Sequence, residues 1–158
     1  MIISWQGKDN FVIKTRNKIV KIGQEILLGD LEITTPGEYE AGGVQMEVID
    51  GTMEIFSEKM MVGWIKKAKV LSDSELEKLN SIDVLLIGIG GGEFTETKQA
   101  LEVINQIDPK VVIPMYEKDL ESFTKEEGMK AEGQDQFKFI LNDLPSEERK
   151  VIILNPSA

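Results

Sequence analysis

The sequence predicts an α/β domain in which two β-sheets pack together and helices lie outside them, a four-layer arrangement. Two observations carry this prediction. The first 65 residues read as short strands separated by turns, whereas the chain beyond residue 70 alternates between apolar strands and amphipathic helices. Since the chain has 158 residues and no Pro/Gly/Ser-rich linker, we expect one domain spanning residues 1–158.

The first half of the chain contains two hairpin patterns. One pair of strands flanks the polar dipeptide Arg16-Asn17, and the next pair alternates apolar with polar residues around Asp50-Gly51. An Asp-Gly dipeptide between two alternating runs is typical of a tight hairpin turn. The strands predicted here are Phe11–Thr15, Lys18–Ile22, Val44–Val48, Met53–Ile55 and, following them, Met60–Ile65.

The second half alternates strands with helices. Ser72 followed by Glu75 is a capping box that opens a helix. The apolar run 84–89 is typical of a strand covered on both faces, and Pro109 and Gly128 predict the ends of two further helices. We expect strands at 84–89, 111–114, 137–141 and 151–154, and helices burying Leu76 and Leu79, then Ala100, Val103, Ile104 and Ile107, then Leu120 and Phe123.

Composition excludes several classes of function. The chain has no histidine and no cysteine, which rules out disulfides, metal sites built on imidazole or thiolate, and Cys–His or Ser–His–Asp catalysis. A net charge of −10 argues against nucleic-acid and anionic-membrane partners, since phosphate binding depends on Lys and Arg. No apolar run approaches the ~20 residues that span a bilayer, and Met1–Trp5 lacks a signal-peptide pattern. We therefore expect a cytoplasmic protein.

Five stretches of the sequence match a known pattern in order along the chain. They are Ile3–Gly7 with Phe11–Ile13, Thr35–Glu40 with Gly42-Gly43, Leu71–Leu76, Ile82–Met115, and Leu144–Leu154. Together they resemble the metallo-β-lactamase superfamily, in particular its bacterial branch of small metal-dependent hydrolases that includes the ascorbate-6-phosphate lactonase-like proteins. The resemblance implies a four-layer αβ/βα metallo-β-lactamase-like sandwich, here shortened.

The metal ligands of that family do not carry over. Its His-x-His-x-Asp-His segment has no counterpart, because Ile22–Leu28 runs almost directly into Ile33–Thr35. The next ligand histidine of the family would follow the Val44–Val48 strand, where this chain turns at Asp50-Gly51. The resemblance therefore implies that the ligand loop is deleted.

The remaining family positions are substituted. The aspartate that bridges two metal ions falls on Lys66, and histidines of the family fall on Lys8, Lys69 and Tyr116. A lysine could replace the charge of a missing cation, but a protonated lysine cannot coordinate one. We therefore expect no metal, no cofactor and no catalytic residue at this pocket.

If the fold holds, these four side chains converge, with Asp9, Asn10 and Glu117 at the rim. Two interpretations remain: a pocket for a small anionic metabolite, or a salt-bridged remnant of an ancestral site, which we favour. The loop Gly90, Gly91 and Gly92 precedes a helix and could cradle an anion, but a tight strand-to-helix turn is the preferred interpretation. Glu38 and Glu40 share a face, and we favour a structural role over acid–base catalysis.

The preferred hypothesis is a non-catalytic, metal-free protein that acts as a binding or assembly module, as a homo-oligomer or with a paralogous partner. Loss of the ligand loop would expose apolar surface and favour self-association. One alternative is a hydrolase with Mg²⁺ or Mn²⁺ held by carboxylates alone, with Asp9, Glu38 and Glu117 as candidate ligands. The other is a sensor that binds a small anionic metabolite at Lys66 and Lys69.

Overall fold

The computed structural model describes residues 1–49, 51–79, 81–128 and 132–157. Its strands are β1 Ile2–Trp5, β2 Phe11–Lys14, β3 Ile19–Ile22, β4 Leu27–Leu28, β5 Leu31–Glu32, β6 Gly37–Ala41, β7 Val44–Ile49, β8 Thr52–Ser57, β9 Met60–Ile65, β10 Val84–Gly88, β11 Val111–Met115, β12 Gly133–Gln134, β13 Phe137–Lys138, β14 Lys150–Val151 and β15 Ile153–Leu154. Its helices are α1 Asp73–Leu79, α2 Thr97–Ile107 and α3 Leu120–Glu126, with a 3₁₀ turn at Leu141–Asp143.

The strands form two large sheets. The first sheet is antiparallel, in the order β13-β1-β2-β3-β4-β5. The second has the order β14-β11-β10-β9-β8-β7-β6. Its β6–β9 half is a meander of antiparallel strands, and β9, β10, β11 and β14 run parallel. A short pair, β12 with β15, is separate from both.

The main core lies between the two sheets. Alternate residues of each strand point into it, as the period of a β-strand requires. Ile3 and Ile13 of the first sheet and Ile55, Val62 and Leu86 of the second are fully buried in this one cluster. The burial of these apolar side chains is what holds the two sheets face to face.

A second core lies between the helices and the second sheet. Leu85 and Ile87 point to the opposite face of β10 from Leu86 and pack with Val103 of α2 and Phe123 of α3. The predicted two-sheet α/β sandwich is therefore confirmed, in a shortened form. In the described ranges the helices cover the second sheet only, and the outer face of the first sheet carries exposed residues such as Lys14 and Lys21.

Most sequence-predicted elements are present. Both hairpins form, although Asp50 lies outside the described residues. The capping box is confirmed, because the Glu75 amide donates to the Ser72 hydroxyl and the Ser72 amide donates to the Glu75 carboxylate, both at 3.3 Å. The buried face of α2 is as predicted. In α3 Phe123 is buried as predicted, whereas Leu120 is partly buried against the same core, and Gly128 follows the helix with a left-handed φ of 70°.

The predicted bounds of two strands near the end of the chain were wrong. The 137–141 strand stops at Lys138 because the Asp143 carboxylate accepts from the Ile140 amide at 2.9 Å and turns the chain. The 151–154 strand is divided between sheets. The Ile152 amide donates to Val112 of the second sheet, whereas the Asn155 amide donates to Gln134 of the short pair.

No helix within the described ranges is both long and apolar enough to cross a membrane.

Candidate functional site

The candidate site begins at the turn that joins β1 to β2. Its ends are held by hydrogen bonds from the Gln6 amide to the Asn10 carbonyl at 2.8 Å and from the Asn10 amide to the Gly7 carbonyl at 3.1 Å. Gly7 and Lys8 both have left-handed backbones, with φ of 90° and 50°. This tight turn directs Asp9 inward, where it is 4% exposed, and leaves the Lys8 side chain in solvent.

Lys66 meets Asp9 from the second sheet. It directly follows β9, and its Nζ lies 3.1 Å from Asp9 Oδ2. The side chains are 30% and 5% exposed, so this pair is far less screened by water than a surface salt bridge. The site therefore contains a buried carboxylate whose counter-cation comes from the chain itself.

Two tryptophans hold the turn in place. The indole Nε1 of Trp64 donates to the Asp9 carbonyl at 3.0 Å, and that of Trp5 donates to the Lys8 carbonyl at 2.9 Å. Both rings belong to the core between the sheets. The position of the Asp9 carboxylate is thus determined by the packing of both sheets.

The second carboxylate oxygen of Asp9 is different. Oδ1 is buried and has no hydrogen-bond partner among the described residues. An unpaired buried acceptor carries a desolvation cost that one more donor would relieve. The Asp9–Lys66 pair is therefore bonded on one side and open to a proton, a water molecule or a ligand on the other.

Tyr116 directly follows β11 and contacts Trp5, one of the two tryptophans that hold the turn. Its ring packs on Trp5 with centroids 5.0 Å apart and planes tilted by 40°. Burial raises the pKa of the Tyr116 phenol above its ordinary value of 10.0, because the charged form loses solvation. At neutral pH the residue is an uncharged hydroxyl, which is a poor substitute for the histidine that the resemblance places there.

The other predicted pocket residues have separate environments. Lys69 is exposed and lies near α1, where hydrogen bonds from Ser72 and, more weakly, the Lys69 charge lower the pKa of Glu75. The Asn10 side chain is engaged by its own turn and by the Gln24 amide, at 3.1 Å. Glu117 is exposed. Lys66 and Asp9 thus form the centre of the site, Tyr116 contacts Trp5, and the exposed Lys8 and Lys69 do not join the pair.

The glycine loop that follows β10 packs against the same region. A side chain at Gly88 would collide with the Lys66 carbonyl, and one at Gly90 with the Lys118 carbonyl. The Gly91 amide donates to the Thr95 carbonyl at 3.0 Å, and the Glu96 carboxylate lies beside Gly91. An acidic side chain at the mouth of this loop disfavours a bound phosphate, so the contacts favour a tight strand-to-helix turn.

These residues do not fit the metal centre that the resemblance implies. Asp9 is paired with an ammonium group that has no lone pair to offer a metal. Within the described part of the chain, no three acidic side chains are grouped closely enough to hold a metal ion, and the sequence has neither histidine nor cysteine. The candidate carboxylate ligands are also dispersed, since Glu38 lies on the helix-side face of the second sheet and Glu117 is exposed.

Sequence reasoning missed a second group of functional interest, the carboxylates of Glu47 and Glu54. They are directly opposite each other on β7 and β8. The sequence contains a signal for this pairing. A two-residue hairpin turn at Asp50-Gly51 places residue 49 opposite residue 52 and therefore Glu47 opposite Glu54. The roles of Trp5 and Trp64 gave no such signal, since they depend on contacts between the sheets.

Sequence comparison identifies relatives of this chain. The profile of a β-lactamase superfamily domain matches residues 3–116. A UPF0173 protein from Pyrococcus furiosus is 27% identical in an alignment of 128 residues that covers 71% of this chain and 53% of that protein. The chain thus spans about half the length of the curated relative it matches.

Solved structures share the fold. One, from Thermotoga maritima, is a metallo-β-lactamase superfamily protein for which zinc-dependent hydrolysis has been suggested. It superposes with a TM-score of 0.82 at 21% identity, covering 98% of this chain and all of that one. A metallo hydrolase from Ignicoccus hospitalis gives a TM-score of 0.65 at 14% identity, covering 87% of this chain and 98% of its own. At these identities the likeness establishes the fold alone.

Proposed function

Because the chain belongs to the metallo-β-lactamase superfamily and its residues do not fit the superfamily's metal centre, we propose that it is a non-catalytic, metal-free binding or assembly protein. The observation that carries the proposal is the Lys66–Asp9 pair, 3.1 Å apart at the former metal pocket. Lys66 occupies the position at which the resemblance places the metal-bridging aspartate. An ammonium group there supplies the positive charge of the missing ion without its Lewis acidity.

The place of the missing ligand loop supports a role in assembly. A cleft of about 490 Å³ lies there, between residues 23–26 and 32–36 on one side and the β7–β8 hairpin on the other. Ile26, Ile33, Met53 and Trp64 contribute apolar lining, and Ile49 at the edge is 38% exposed. Such a surface favours association with a second copy or a paralogous chain.

The second candidate is a hydrolase with an altered, carboxylate-based centre. The free Oδ1 of Asp9 favours it, because that oxygen is a buried acceptor without a partner in the described ranges. The solved relatives are named as hydrolases, which is consistent with this alternative. Against it stands the dispersal of the other carboxylates. An anion sensor at Lys66 has less support, because the Lys66 ammonium is already paired.

Activity assays separate these candidates. We would assay the untagged chain and its Asp9→Asn variant against lactone and phosphodiester panels, with added Mg²⁺, Mn²⁺ or Zn²⁺ and with EDTA. The proposal predicts equal background rates for both proteins and, by light scattering, a particle heavier than the 17.7 kDa chain. Turnover that EDTA abolishes and Asp9→Asn removes would establish the hydrolase instead.

A further inference from the structure

A second concave site lies on the helix-side face of the second sheet, which is the face opposite Asp9 and Lys66. Strands β6 to β9 form its floor, and it encloses about 410 Å³, a volume typical of small-molecule sites. We call it the acidic cleft. Its defining side chains are Glu38, Glu40, Glu47, Glu54, Phe56 and Met61.

Strand register places three of these carboxylates in one row. Glu38 is directly opposite Glu47, and Glu47 is directly opposite Glu54. All three point away from the core between the sheets, because Met53 and Ile55, the neighbours of Glu54, point into it. Like charges directly opposite each other on neighbouring strands repel and destabilise the sheet. The row is therefore an unfavourable arrangement unless a cation accompanies it.

Glu54 is the buried member of this row. It is 8% exposed and lines the cleft, yet its carboxylate has no hydrogen bond or salt bridge within residues 1–49, 51–79, 81–128 and 132–157. Burial, and then the charge of Glu47, raise the pKa of Glu54 above its ordinary value of 4.5, whereas Lys78 of α1 acts in the opposite direction. The carboxylate oxygens of Glu54 face the open cleft, and burial has removed part of their hydration, so a bound cation would stabilise the charge.

The rest of the lining indicates what kind of cation fits. The adjacent row on the same face runs Glu40, Gln45, Phe56 and Met61. Phe56 is 39% exposed and offers a ring face to a cation or an alkyl chain. No three described acidic side chains are grouped tightly enough for a single metal ion. The cleft thus combines spread carboxylates with apolar surface, which suits an organic amine better than a metal.

We propose that the acidic cleft binds a small aliphatic diamine, with one ammonium group between Glu47 and Glu54. Its alkyl chain lies along Phe56 and its second ammonium group reaches Glu40 on β6. Glu40 and Glu54 are two strands apart and offset by two residues, which at about 4.8 Å per strand and 3.4 Å per residue separates them by roughly 12 Å of sheet. Two charged ends joined by a short chain can bridge this span together with the glutamate side chains. This inference does not rest on the proposed function, because the cleft lies on the other face of the sheet from Asp9 and Lys66.

Calorimetric titration of the untagged chain with 1,4-diaminobutane at low salt tests the proposal. We expect saturable one-to-one binding, weaker binding of butylamine and no binding of 1,4-butanediol, which lacks the charges. Glu54→Gln should weaken diamine binding by roughly tenfold or more, since hydrogen bonds to charged groups are among the strongest. Glu47→Gln should weaken it as well, and Glu93→Gln, at an exposed glutamate outside the cleft, should leave it unchanged.

Four results would overturn the proposal. One is the lack of saturable heat at millimolar diamine. Another is equal weakening by Glu54→Gln and Glu93→Gln, which would indicate general charge attraction. The third is stoichiometric displacement of the diamine by Mg²⁺ or Mn²⁺, which would make this a metal site. If the chain binds a lysine-rich peptide but not the diamine, the cleft is assigned to a protein partner and the small-molecule site is rejected.

Discussion

The two buried carboxylates on either side of the second sheet have opposite electrostatic environments. Asp9, 4% exposed, lies 3.1 Å from the ammonium group of Lys66. Glu54, 8% exposed, faces Glu47 across the strands, and Lys78 is too distant to form a salt bridge with it. Both side chains are buried, but among the described residues a salt bridge forms at Asp9 and none forms at Glu54.

The difference between Asp9 and Glu54 indicates where an external cation would stabilise the protein. A buried charge must be paired, must change its protonation state, or must bind a ligand. At Asp9 the chain itself supplies the cation, the ammonium group of Lys66. At Glu54 the raised pKa shows the cost of leaving the carboxylate unpaired, and the cleft beside it has room for a cation.

The largest expected effect is at Lys66. Lys66→Met leaves Asp9 buried and unpaired, so we expect the free energy of unfolding at neutral pH to fall by about 3 kcal/mol. Adding Asp9→Asn should recover much of that loss, because the buried charge is then gone. Urea unfolding followed by the fluorescence of Trp5 and Trp64 measures both effects.

The neighbouring Lys67→Met is the matched control. Lys67 is exposed and its ammonium only donates to the Gly92 carbonyl, so we expect a change within about 0.5 kcal/mol. Equal losses for Lys66→Met and Lys67→Met would show that the pair does not stabilise the former metal pocket.

A smaller effect is expected at Trp64. Trp64→Phe keeps most of the ring in the core but removes the indole donor to the Asp9 carbonyl. The buried carbonyl then lacks its donor, so we expect the free energy of unfolding to fall by about 1–2 kcal/mol. The poorer packing of the smaller ring adds to this decrease. The companion Trp5→Phe tests the equivalent bond to the Lys8 carbonyl. No loss in either variant would mean that the turn is held by its backbone alone.

The smallest effect has the opposite sign. Glu54→Gln removes a repelling charge from the row, so we expect the free energy of unfolding at neutral pH to rise by about 0.5 kcal/mol. The gain should depend on pH. Because the pKa of Glu54 is raised in the folded state, its stabilising contribution is fully present below the unfolded value of 4.5 and is lost as pH rises through the folded pKa.

The advantage of Glu54→Gln over wild type should therefore grow between about pH 4 and pH 7. Chemical unfolding at several pH values, with Glu93→Gln as control, measures it. An advantage that is constant across this range, or a loss at neutral pH, would contradict the unpaired state of Glu54.

The local part of the fold could be predicted from sequence. Alternation around Asp50-Gly51 predicts the register that pairs Glu47 with Glu54, and the Ser72–Glu75 capping box predicts the start of α1. The Lys66–Asp9 pair could not be derived from periodicity, because it joins residues far apart in the chain. It depends on the left-handed turn at Lys8 and on the packing of one sheet against the other. The family resemblance predicts that Lys66 and Asp9 lie at one pocket and favours a salt-bridged remnant there, but it does not pair these two residues with each other.

The third carboxylate of the acidic row also follows from a local pattern. Glu38 lies on β6, and a two-residue turn at Gly42-Gly43 pairs Ala41 with Val44 and therefore Glu38 with Glu47. The position of α1 beside this face, which brings Lys78 near Glu54, is a tertiary feature. The acidic row therefore follows from local hairpin patterns, whereas the Lys66–Asp9 pair and the position of Lys78 depend on tertiary contacts.

We claim above all that Lys66 supplies the cation at the former metal centre. Measuring metal content together with native mass tests this claim. The chain should be produced in medium supplemented with zinc, iron and manganese and freed of any histidine tag, which would add the ligands that it lacks. We predict a native mass that is a multiple of 17.7 kDa, the mass of the metal-free chain, and a metal content far below one ion per chain. One zinc, iron or manganese ion per chain that is lost in Asp9→Asn would contradict the claim.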